Sequence, residues 1–221
     1  VPEVPFVLNL ASDDEKISEN SINLVKRALT LSSKIGASVY AVHAGFCIDP
    51  KVSELGKSIS KGRIQHRSEA LNIFTKNISS LSDFAQSVGV KLLIENNVLS
   101  PRNYETFGQN PLLMADPTEI KMVLSQIPSS VGFLLDVAHL KVSCRALGLD
   151  VIRAHEEIKE CITAYHLSDN NGMEDSNDEL HIDSWFWPVM RKDVAHYTIE
   201  VYRRSAEELL KQKSMVERFI N

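Results

Sequence analysis

Long apolar runs are missing from this 221-residue chain, and none approaches the roughly 18 residues of a membrane span. Cysteine is scarce: Cys47, Cys144 and Cys161 are too few and too scattered for a disulfide framework or a thiolate zinc site, so they read as reduced thiols of a cytoplasmic protein. Basic charge is not in excess either. With 24 Lys+Arg against 29 Asp+Glu the formal net charge is −5, which argues against a protein built to grip a phosphate backbone. No GxGxxG turn follows a strand, which disfavours a doubly wound dinucleotide fold. Internal repeats, low-complexity segments and linkers are also absent, so residues 1–221 are read as one domain. What remains, 43% hydrophobic and 24% charged, is the balance of an ordinary globular chain and excludes a disordered or collagen-like one.

The chain opens on Val1, and VPEVPFVLNLASDDE has no basic n-region, so it reads as a strand in mid-fold rather than a signal peptide. That run begins a series of six: PFVLN to Asn9, SVYAVH to His43, KLLIE to Glu95, VGFLLD to Asp136, ITAYH to His166 and HYTIE to Glu200. Each is mostly apolar or β-favouring and ends in a polar residue, as suits parallel strands buried on both faces.

Helical patterns lie between them. Ser12-Asp13-Asp14-Glu15 reads as a capping box and Gly36 as the stop of that helix. Residues 65–88 carry Leu71, Phe74, Ile78, Leu81 and Ala85 on one stripe, ending at Gly89. Asp116-Pro117-Thr118-Glu119 reads as cap, N1 proline and capping-box glutamate, with Pro128 ending the helix. Asp150 caps 151–161, and 205–219 is a terminal amphipathic helix. Alternating β and α at these spacings predicts an α/β fold of the TIM (β/α)8-barrel type. Six β-α units are visible, so the expectation is an incomplete barrel with its first two units missing upstream. The open edge of such a barrel must be covered or paired, a second copy being one way, so a homo-oligomer is among the expectations. The acidic stretch 168–184 reads as a loop over the mouth.

In a barrel the carboxyl ends of the strands converge on one mouth, which here receives Asn9, His43, Glu95, Asp136, His166 and Glu200. These are oxygen and imidazole donors suited to Mn, Mg, Co or Zn. Several carboxylates in one mouth call for a divalent cation, because desolvating each ion costs several kcal/mol.

The segments KLLIENN (91–97), GFLLDVAHL (132–140), AYHLSDNNG (164–172) and TIEVY (198–202) together resemble the xylose isomerase-like TIM barrels, which include sugar-phosphate isomerases and epimerases and endonuclease IV-type enzymes. The resemblance runs from about residue 5 to 203. It implies one metal held by Glu95, Asp136, His166 and Glu200, with Glu95 and Glu200 as the acid/base pair that moves a proton beside a carbonyl. It further implies a substrate contact from His139 and likens His43 to a family histidine that ligates an additional zinc in the endonucleases; in a sugar enzyme His43 is expected to face the substrate. Asn97 and Asp169, with Asn96 and Asn170, follow ligand residues directly and are read as substrate-facing or orienting groups. The expected partner is a small sugar or sugar phosphate.

The endonuclease reading needs three zincs. A third could be assembled from His139, Glu179 and His181, but IDSWFWPVM replaces the expected glycine-rich turn, and a family histidine would fall near Glu3. No incision of DNA at abasic sites is therefore expected. A third possibility is a binding protein that kept the ligands and lost catalysis. Lys57, Lys61, Arg63, His66 and Arg67 form a basic cluster, read as a solvated helix start or a phosphate site. Trp185, Phe186 and Trp187 are read as rim packing or a wall for a sugar.

Overall fold

The computed structural model describes residues 6–54 and 59–221. Its elements run α1 (Glu15–Lys34), β1 (Val39–His43), α2 (Arg67–Ser87), β2 (Lys91–Glu95), α3 (Pro101–Phe107), α4 (Pro117–Gln126), β3 (Gly132–Asp136), α5 (Val137–Leu147), α6 (Val151–Ile158), β4 (Ile162–Leu167), β5 (His196–Ile199) and α7 (Ala206–Ile220). Every strand pair is parallel and the order is β1-β2-β3-β4-β5, so the sheet is a curled half-barrel.

Among the described residues the sheet thus has five strands, not six. The run to Asn9 forms no ladder over residues 6–9, and residues 1–5 lie outside the described residues. The reason is local. Asn9 gives its N–H to Ser21 Oγ (3.0 Å), and its carbonyl accepts from Ser12 N in a turn (3.4 Å). The first capping box is also displaced: Asp14 caps α1, accepting from Ile17 N at 3.0 Å. Ser12 is occupied elsewhere, its hydroxyl donating to Asp49 Oδ2 at 2.9 Å. Asp116 and Asp150 cap α4 and α6 as read, and the α7 capping box is built from Ser205 and Glu208.

Strand alternation splits the side chains into two layers. Outward residues such as Val42, Leu92, Ile94, Phe133, Leu135, Tyr165 and Leu167 join the main core against the helices. Inward residues two positions before His43, Glu95, Asp136 and His166, namely Ala41, Leu93, Leu134 and Ala164, form a separate apolar cluster. That cluster is the floor of the mouth. His43 lies opposite Glu95 and Asp136 opposite His166, while Glu95 lies opposite Leu134 and His166 opposite Thr198, so the donors rise in a stagger from strand to strand above that floor.

Candidate metal centre and adjoining cavity

Four strand ends converge. Glu95, Asp136, His166 and Glu200 each offer a ligand atom, and these atoms all lie within 4.8 Å of one another. His166 Nδ1 is the hub, 2.8 Å from Glu200 Oε2, 3.1 Å from Glu95 Oε1 and 3.9 Å from Asp136 Oδ2. Asp136 has a divided role. Its Oδ1 caps α5 by accepting from His139 N at 2.8 Å, while its Oδ2 is buried with no hydrogen-bond partner. A fully buried carboxylate oxygen without a donor is costly, and a cation among these oxygens and imidazole would satisfy it. The donor set therefore fits a divalent metal.

The electrostatics point the same way. Burial lifts the Asp136 carboxyl to about 6. Burial also raises Glu95, but the bond from His166 and the neighbouring histidines outweigh it and hold the group below its usual range. Glu200 is lowered chiefly by its bond with His166. Burial pushes His166 and His139 down, yet the carboxylates around each prevail and bring both to about 10. Where no cation sits, protonated imidazoles balance the cluster.

A second group, His43, Glu95 and His139, shares Glu95 with the first. The two histidine rings are stacked with centroids 5.6 Å apart. His139 is held at both nitrogens: Nδ1 lies 2.9 Å from the Asn96 carbonyl and Nε2 lies 3.2 Å from Asp175 Oδ2. Both histidines open onto a cavity of about 720 Å³ that Asn97, Arg102, Glu174 and Asp175 also line.

The remaining expected residues fall into place around this frame. Asn97 is buried, and its Nδ2 donates to the carbonyls of Ala44, Gly45 and Leu113. Asn96 bonds Asp136 in both directions, accepting from its N–H and donating to its carbonyl. Asp169 accepts from Lys141 Nζ (2.6 Å) and Ser184 Oγ (2.8 Å), which ties the 168–184 loop to α5. Asn170 donates to Ala138 O. Asn9 is a hinge-pin rather than a mouth donor. Its Oδ1 accepts from Ala11 N and Phe46 N, and its Nδ2 donates to Phe46 O, Ile48 O and Asp49 Oδ1. Gly45 is required there, because a Cβ would lie 2.4 Å from Ala11 Cβ.

Other candidates take structural parts. Glu179 is paired with Arg204 (2.5 Å), His181 is exposed, and no metal-holding group among the described residues includes either. Arg63 pairs with Asp13; Arg67 forks onto Glu119 (2.7 and 2.6 Å) and the carbonyls of Asn110 and Leu112. His66 bonds Ser68 and Lys61 is exposed, while Lys57 lies outside the described residues. Phe186 and Trp187 are buried, with Trp187 stacked on Phe219 (4.2 Å), so this cluster packs under α7.

Asp175 belongs to the acidic loop expected beside the mouth, but its contact with His139 was not foreseen, and Asn177 and Tyr202 went unread. Asp175 meets His139, Tyr202 Oη donates to Glu200 Oε1 at 3.0 Å, and Asn177 joins the two. The Glu200-x-Tyr202 spacing, with both side chains on one side of an extended segment, was the available signal for Tyr202.

A family model described as "Xylose isomerase-like TIM barrel" matches residues 3–203. An uncharacterized protein of Methanocaldococcus jannaschii is 24% identical over 165 residues, 75% of this chain and 53% of that protein, so the chain spans about half the length of this curated relative. Among solved structures, a D-tagatose 3-epimerase-like protein superposes with a TM-score of 0.71 at 19% identity, covering 98% of this chain and 75% of that one. A Thermus thermophilus protein soaked with ZnCl2 gives a TM-score of 0.64 at 20% identity, covering 97% and 76%. Further matches are named as L-ribulose and D-psicose 3-epimerases.

Proposed function

Because the chain belongs to the xylose isomerase-like TIM barrel family, we propose that it is a divalent-metal-dependent isomerase or epimerase of a sugar or sugar phosphate. The observation that carries this reading is the convergence of Glu95, Asp136, His166 and Glu200 around the orphaned Asp136 Oδ2. These four residues hold the cation, which is Mn, Mg, Co or Zn by the hardness of its donors. Once bound, it polarises substrate oxygens as a Lewis acid. Glu95 and Glu200 both lie close to His166 Nδ1, and as the acid/base pair they remove and return a proton at the carbon beside the carbonyl. His43 and His139 face the cavity and contact the substrate there, with Asn97 on the same wall. Asp169 holds the loop that closes the mouth.

The test begins with titration of Mn(II), Co(II) and Zn(II) into chelated protein. One ion per chain is expected, with loss of at least ~10-fold in affinity for Asp136→Asn, since even groups behind the ligands are worth that much. Incubation with D-tagatose in deuterated water is then expected to place deuterium beside the carbonyl. Absence of binding for every metal, with Asp136→Asn behaving as wild type, removes the site. The His43–Glu95–His139 group favours a second reading, a phosphodiesterase with an additional cation. Metal-dependent incision of an abasic-site oligonucleotide at low salt, lost in Glu95→Gln, would establish it in place of the sugar chemistry.

A further inference from the structure

In the loop between β4 and β5, Asn177 is linked to two sides of the mouth, through Asp175 to His139 and through Tyr202 to Glu200. Asn177 is buried and has φ +49°, a left-handed conformation that Asn tolerates better than most residues. The base of its turn is pinned by the reciprocal backbone pair Asp169–Asp178 (3.0 and 2.8 Å). Its Oδ1 accepts from Ser168 Oγ at 3.2 Å. Its Nδ2 donates to Asp175 Oδ2 at 3.4 Å, the same oxygen that faces His139 Nε2 at 3.2 Å. Its carbonyl accepts from Tyr202 N at 3.0 Å, and Tyr202 Oη donates to Glu200 Oε1 at 3.0 Å. Arg203, directly after Tyr202, is again left-handed (φ +57°).

We propose that Tyr202, held by the Asn177 carbonyl, is the positioning residue for Glu200. The proposal rests on the reading of Glu200 as ligand and proton-transfer group. A carboxylate on a strand end that is 30% exposed can rotate about its side-chain torsions. The two oxygens of Glu200 are differentiated here: Oε2 faces His166 and the ligand cluster, while Oε1 is held back by the phenol. Tyr202 thus fixes which oxygen faces the metal and the reacting carbon. Packing does not account for Tyr202, which is 54% exposed. The two left-handed residues are the conformational cost of bringing the loop and the β5 exit together, and such strain persists where the surroundings over-determine it.

The experiment compares wild type with Tyr202→Phe, Asn177→Gly and Asn177→Val. Mn(II) is titrated calorimetrically into chelated protein, and deuterium exchange into D-tagatose is followed in the loaded enzyme. Tyr202→Phe is expected to weaken Mn(II) binding by ~10-fold, the lower end for a group orienting a ligand. It should lower kcat for exchange at unchanged KM, and leave the metal-free melting temperature as in wild type. Asn177→Gly keeps the turn and its carbonyl, so it should bind Mn(II) nearly as wild type does. Asn177→Val is β-branched at positive φ, displaces the carbonyl, and should reproduce the loss, with no further loss in the Tyr202→Phe, Asn177→Val double variant. Unchanged Mn(II) affinity in Tyr202→Phe overturns the proposal, as does a loss matched by a lower metal-free melting temperature. Wild-type protein that binds Mn(II) but exchanges no proton defeats the epimerase reading instead, and the Mn(II) comparison then decides on Tyr202 by itself.

Discussion

Tyr165 and His166 are neighbours on β4, and their side chains enter opposite worlds. His166 points into the mouth, with three carboxylates within 3.9 Å of its Nδ1, and their charge brings it to about 10. Tyr165 points to the helices, where its hydroxyl meets His155 Nε2 at 3.0 Å among Tyr197, Trp185 and Phe186. There burial acts on His155 with little opposition and drops it to about 4. The half-buried His166 and the buried His155, served by neighbouring residues of one strand, are therefore pushed in opposite directions. The lesson is that burial alone does not make a histidine functional. Converging carboxylates with an unsatisfied oxygen do, whereas an aromatic setting makes a neutral packing group.

The largest effect is expected on the mouth side. Glu200→Gln keeps a neutral oxygen for the cation but removes the ionisable group, so exchange into D-tagatose should fall by ~10²–10⁴-fold while substantial Mn(II) binding remains. Wild-type exchange in this variant would take Glu200 out of proton transfer.

That prediction could be written from the sequence, because Glu200 ends a run whose five predecessors follow the same rule and the resemblance to xylose isomerase-like barrels implies an acid/base role at that position. Parallel strands buried on both faces are legible as apolar runs, and their terminal polar residue marks the mouth. Helix ends were legible wherever the capping side chain had no competing partner, as at Asp116 and Asp150. Ser12 failed because Asp49, far along the chain, takes its hydroxyl. The strand to Asn9 failed for the same kind of reason, since its polar end is committed to the 45–49 turn. Asp175, Asn177 and Tyr202 were illegible as a set. Their link depends on a left-handed turn and a long-range backbone bond, and neither leaves a periodic trace. The aromatic run 185–187 could not be assigned to sugar or core without knowing that α7 lies over it.

The helix-side histidine supplies a stability test of intermediate size. His155 titrates near 6.5 when unfolded and near 4 when folded, so across that window the unfolded chain binds more protons. Stability is thus intact above pH 6.5 and declines as pH falls toward 4, by about 3 kcal/mol from this residue. Urea unfolding of metal-free protein at pH 7, 5.5 and 4.5 measures the decline. In His155→Gln, which has no titrating ring, the slope should flatten by about that amount even if the variant is less stable throughout. An unchanged slope would place the acid sensitivity in the mouth carboxylates and dissolve the contrast between the two sides.

The smallest effect tests whether the two faces of β4 are independent. Tyr165 Oη lies 3.1 Å from Arg191 N, from which it accepts, and its proton is free for His155 Nε2. His155 Nδ1 and Trp185 Nε1 are already buried without partners in this aromatic cluster. Tyr165→Phe retains the ring and its stacking on Tyr197, 5.9 Å away, but strands the Arg191 N–H and the His155 nitrogen. Leaving buried polar groups unpaired should cost about 1–2 kcal/mol, read as a lower urea midpoint with an unchanged denaturant slope. Mn(II) affinity should stay at the wild-type value, because His166 is held by Glu95 and Glu200 and makes no bond to Tyr165 Oη. A weakened Mn(II) site in Tyr165→Phe would mean that the strand transmits strain from its packed face to its ligand face. The mouth would then owe its geometry to the aromatic cluster behind it as well as to the carboxylates in front.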